Sequence, residues 1–81
     1  MIENKEFNEW RNNLPVHSEK DDELIGLMTQ WLLFKGCMTI GKNEHDDEYE
    51  VIRWVDDELL ANSKSLYDCL VTTINSMKEV K

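Results

Sequence analysis

Eight carboxylates fall within 15 residues of this chain: Glu44, Asp46, Asp47, Glu48, Glu50, Asp56, Asp57 and Glu58, with Arg53 the one positive side chain among them. Carboxylates at this density could serve in three ways: as acid–base catalysts, as cation ligands, or as an electrostatic contact for a cationic surface. General acid–base catalysis needs a base held in a cleft beside a nucleophile or an activated water. The two histidines are His17, in a loop after Pro15, and His45, inside the acidic run, and neither sequence neighbourhood names a nucleophile. Neither G-x-S-x-G, H-E-x-x-H nor a glycine-rich phosphate loop occurs, and three glycines leave little for a phosphate cradle. The expectation is a protein that is not an enzyme.

Cation ligation fails on spacing. A calcium loop places oxygen ligands at positions 1, 3 and 5, a glycine at 6 and a glutamate at 12. Counted from Asn43, position 3 is His45 and position 12 is Trp54. Zinc would have to recruit His17, His45, Cys37 and a carboxylate from separate segments. No metal and no cofactor are expected. Cys37 and Cys69 form no C-x-x-C motif and lack the density of a secreted disulfide scaffold. Two reduced thiols are expected, Cys69 as a small buried hydrophobe; a Cys37–Cys69 bond stays open.

The third use fits. Residues 44–58 carry seven net negative charges. As a helix they would span about 22 Å, one net charge per ~3 Å, roughly half the linear density of duplex DNA. Glu19, Asp21, Asp22 and Glu23 would add to this if they lay on the same side. Tryptophan is enriched where proteins bind each other. Trp31 and Trp10 fall on helical stripes and are expected in the core, whereas Trp54 is offset among Arg53, Asp56 and Asp57 and is the candidate exposed anchor. The expected partner-binding residues are therefore Glu44, Asp46, Asp47, Glu48, Glu50, Trp54, Asp57 and Glu58.

The elements that would carry these residues read as helical almost throughout. Phe7, Trp10 and Leu14 make one stripe over about residues 3–13, which Pro15 ends. Ser18 and Asp21 resemble a capping pair, Asp22 and Glu23 add charge to the first turn, and Leu24, Leu27, Met28 and Trp31 follow at helical spacing. Lys35 and Gly36, the latter suited to a left-handed cap, close this helix of about residues 19–35. Residues 37–40 read as an extended connector, since a strand there would lack a partner. Ile52, Val55 and Leu59 predict a helix over about residues 46–61, and Ser65 with Asp68 starts another over about residues 65–79 along Leu66, Leu70, Ile74 and Met77. The stripe stays in phase from Leu59 to Leu66, so one continuous helix is the alternative to a break at residues 62–65. No internal repeat is evident. The fold class expected is all-α, a small three- to four-helix bundle occupying residues 1–81 as a single domain.

Length and charge narrow the function. The chain has 81 residues and a formal charge of −8, with a pI near 4.6. The longest apolar run, Trp31-Leu32-Leu33-Phe34, is far short of the ~20 residues needed to cross a bilayer. The first residues lack the basic and apolar regions of an export signal, which implies a cytoplasmic protein. A surface this acidic is repelled by phosphate backbones and anionic lipid, so no direct nucleic-acid or membrane contact is expected. A core this small would gain from a subunit interface, which leaves a homodimer open.

Two functional readings follow. In the first, the protein binds and blocks or regulates a basic, nucleic-acid-handling protein by offering carboxylates where phosphates would sit. Phage- and plasmid-borne anti-CRISPR and anti-restriction inhibitors, antitoxins and nuclease-immunity proteins are of this physical type. In the second, it is a homodimeric helical regulator or connector whose acidity serves only solubility.

Overall fold

The computed structural model describes residues 2–15, 20–36 and 38–77. In chain order they form α1 (Lys5–Asn12), α2 (Asp21–Lys35), β1 (Met38–Asn43), β2 (Glu48–Arg53), β3 (Glu58–Ser63) and α3 (Leu66–Ser76). The strands make an antiparallel sheet in the order β1-β2-β3. This is an α+β fold, and it corrects the expected all-α bundle.

The three helices follow from their local signals. Asn4 caps α1, its Oδ1 accepting from the Phe7 amide at 3.0 Å. Asp21, Asp22 and Glu23 place negative charge in the first turn of α2. Ser18 and Glu19 lie outside the described residues. Gly36 is extended (φ 175°), not left-handed, and its amide still bonds to Leu32 O. Ser65 Oγ caps α3 by accepting from the Asp68 amide at 3.4 Å. The end expected for this helix, residues 78–79, also lies outside the described residues.

The expected helix over residues 46–61 does not exist, which also removes the alternative of a helix running on into α3. Its place is taken by β2, a four-residue turn and β3. The stripe Ile52, Val55, Leu59 is the set of side chains that the core rejects: Val55 is 87% exposed and Leu59 49%. Period two won over period 3.6. Val51 turns inward to zero exposure while its neighbours Glu50 and Ile52 turn outward, and β-branched and aromatic residues supply the strand preference. Short apolar runs satisfy both periods, so sequence spacing alone does not separate them. The connector expected at residues 37–40 begins β1, whose missing partner is β2 itself: Ile40 pairs with Val51 and Gly41 with Glu50. Cys37 lies outside the described residues.

The core forms where the helices meet the inner face of the sheet. Phe7, Met28, Trp31, Leu32, Val51, Leu70 and Ile74 are essentially inaccessible. The Phe7 ring meets Trp31 edge-on, with centroids 5.3 Å apart and planes at 83°, an arrangement worth about 1 kcal/mol beyond its buried area. Trp10 is partly buried against Phe7. α3 packs against β2 and β3, and α2 lies along α3 and touches β1. Cys69 is a free, buried thiol beneath the sheet, donating to Tyr49 O at 3.6 Å and Ala61 O at 3.5 Å. No helix among the described residues is long and apolar enough to cross a membrane.

Candidate partner-binding face

Two tight turns shape the acidic segment. Residues 44–47 join β1 to β2, and residues 54–57 join β2 to β3. The last residue of each turn is left-handed, Asp47 at φ 53° and Asp57 at φ 52°. Aspartate tolerates this conformation better than most residues because its short carboxylate bonds to nearby backbone. The three residues Asp46-Asp47-Glu48 recur ten residues on as Asp56-Asp57-Glu58, each set spanning the end of a turn and the start of a strand. Neither turn contains the glycine that usually announces a hairpin, so helical periodicity had no local signal against it.

The turns lie at opposite ends of β2, about 20 Å apart for a six-residue strand. The expected continuous line of carboxylates is therefore divided. Glu44, Asp46 and Asp47 gather at one end; Asp56, Asp57 and Glu58 gather at the other. Part of the charge is matched internally. Lys42 Nζ sits 2.8 Å from Asp47 Oδ1. Arg53 reaches Asp56 through two hydrogen bonds, 3.1 and 2.8 Å, and also pairs with Glu58. The hydrogen bond and charge of Lys42 hold the Asp47 carboxyl below the usual aspartate value, and the Arg53 guanidinium does the same for Asp56. Glu44, Asp46, Glu48, Glu50 and Asp57 have no cation partner among the described residues.

The outer face of the sheet brings three of the expected residues together. Register places Thr39, Ile52 and Leu59 in one row across the strands, and Gly41, Glu50 and Asn62 in the next. Asn43 and Glu48 follow, with Asn62 Nδ2 donating to Glu48 Oε2 at 3.0 Å. Trp54 leaves β2 on this side. Its indole N–H donates to Thr39 Oγ1 across the first row, while the residue stays 59% exposed. None of Ile52, Trp54, Val55 and Leu59 belongs to the packed core. The face is thus apolar near the second turn and acidic toward the first. A bulge displaces Leu60, because Val51 pairs with Ala61 while Ile52 pairs with Leu59. The extra residue lets Leu60 join the core while Leu59 faces out.

Sequence reasoning missed Ile52 and Leu59 as surface residues by assigning them to a helical core. It also passed over Thr39 and Gly41, which gain meaning only from their pairing with β2. Among the described residues no three His, Cys, Asp or Glu side chains converge on a cation-sized site; His17 lies outside them. Compared with known proteins, the chain matches no family model, no curated protein and no solved structure.

Proposed function

We propose that this protein is a small acidic interaction protein of the cytoplasm, without enzymatic activity, that uses the outer sheet face to bind and block or regulate a basic, nucleic-acid-handling protein. The observation that carries this reading is the pairing of an exposed Trp54 with Glu48 and Glu50 on a sheet face that no described helix covers. Tryptophan supplies desolvation area at a binding centre, and carboxylates without internal cations supply steering and charge complementarity. A partner whose surface receives phosphates offers the matching lysines and arginines. The acidic turns add long-range attraction at both ends of the face. This is the physical type of an anti-CRISPR or anti-restriction protein, an antitoxin or a nuclease-immunity protein, acting by occupation rather than by chemistry.

The test is a pull-down from the native host at low ionic strength, run in parallel with wild type, Glu48→Lys/Glu50→Lys and Trp54→Ala. Wild type is expected to retain a basic, nucleic-acid-associated protein that elutes as salt rises and is displaced by duplex nucleic acid. Both variants are expected to lose it. Retention unaffected by the charge reversals sinks the reading.

The homodimeric alternative has one observation of its own: Leu33 and Phe34, 56% and 77% exposed, stand together at the end of α2. Sedimentation velocity across a concentration series, with Phe34→Asp as control, decides it.

A further inference from the structure

The two edges of the sheet differ. β3 is interrupted by the bulge at Leu60, a device that spoils pairing with a further strand. β1 is regular over six residues, contains no proline and pairs with β2 alone. Alternate residues of an edge strand turn their N–H and C=O groups away from the sheet. Among the described residues, no backbone group from outside the sheet bonds to the backbone of Met38–Asn43. Lysine commonly guards such edges, but Lys42 is drawn to Asp47.

Gly41 gives this edge a chemical preference. It lies directly opposite Glu50, and the space beside its Cα is open: a Cβ there would meet nothing within 4 Å. The Glu50 carboxylate can therefore be approached across β1 without a side chain in the way. A strand added to β1 would lie about 9.6 Å from β2, two strand spacings, a gap that extended arginine and glutamate side chains together bridge.

We infer that β1 is a strand-addition edge for an extended, basic segment of the partner, whose backbone completes the β1 hydrogen bonds and whose outward lysine or arginine passes over Gly41 to Glu50. This rests on the reading of the outer face as a surface for a basic partner and adds the mode of binding. A second copy is the poorer occupant, because each carries a charge of −8. Main-chain bonds supply affinity in strand addition and alternate side chains supply specificity.

The probe is a nine-residue peptide of alternating lysine and valine, compared with the same peptide N-methylated at every residue and with a glutamate-for-lysine version. Amide exchange and backbone chemical shifts of the full chain are the readouts. The unmodified peptide is expected to slow exchange at alternate β1 amides and to bind at least about tenfold more tightly than the methylated form. Gly41→Lys, which places a like charge over the entry to Glu50, is expected to weaken it severalfold. Equal binding of methylated and unmodified peptides, with shifts at Trp54 and Glu50 and none in β1 exchange, overturns strand addition and leaves the basic-partner reading standing. Protection of β1 by the glutamate peptide as strong as by the lysine peptide overturns the basic assignment. Failure of every peptide to bind overturns both.

Discussion

Asn4 is the side chain that ties the start of the chain to its last helix. It is 4% exposed; its Oδ1 caps α1, and its Nδ2 donates to Ile74 O at 2.9 Å and Met77 O at 3.3 Å. Asn4→Ala removes the cap and the side-chain donor to Ile74 O and Met77 O, the former keeping the Met77 amide, and is expected to cost about 2 kcal/mol in urea denaturation. Asn4→Asp preserves the cap but not the donor, so it is expected to destabilise as well, which separates the two roles. Cys69 makes a second prediction. Burial, with the Glu50 charge adding to it, raises the thiol above its ordinary value. A group whose folded pKa is raised stabilises the fold below its unfolded pKa and loses that contribution as pH climbs through the folded one. Urea midpoints are therefore expected to fall on the alkaline side of the ordinary thiol range in wild type, and to stay flat there in Cys69→Ala.

At the scale of elements, the hairpin turns carry the risk. Asp57 holds a left-handed backbone and its side chain makes no bond among those described. Asp57→Gly is expected to raise stability by about 0.5–1 kcal/mol by relieving that conformation, and Asp57→Val to lower it by at least as much. Both are read from urea midpoints. Arg53 organises the same turn, and Asp56 also accepts from the Glu58 amide at 3.2 Å. A carboxyl lowered in the folded state stabilises it above the unfolded pKa and ceases to do so as pH falls through the lowered value. An NMR titration is expected to place the Asp56 midpoint below the ordinary 3.8, and Arg53→Gln to return it toward that value. Because both side chains are solvated, the effect on global stability is small.

For the molecule as a whole, the excess of negative charge opposes compaction. With 17 acidic against 9 basic residues, added salt screens self-repulsion more than it weakens the few surface pairs. The melting temperature is expected to rise by a few degrees between low and physiological ionic strength. A flat or falling profile would mean that Lys42, Arg53 and the other cations already balance the surface. The same charge shapes the function proposed above: acids at both ends of the sheet draw a basic partner in, while Trp54 and the row Thr39, Ile52, Leu59 give it something apolar to settle on.

The helices were legible in the chain because their signals are local. Helical stripes and charged first turns announce α1, α2 and α3 within a few residues of themselves; the exposure expected of Trp54 rested on its offset from a stripe that is itself exposed. The acidity of residues 44–58 was equally plain. Whether that segment would be one helix or two strands was not, since Ile52, Val55 and Leu59 fit a helix while Tyr49 and Val51 fit a strand. Only contact with distant residues resolves such a conflict: Val51 is buried because α3 packs against β2 and Ile40 and Ala61 flank it. Strand pairing is a nonlocal bargain, and it alone sent the two groups of acids to opposite ends and left Ile52 and Leu59 facing outward.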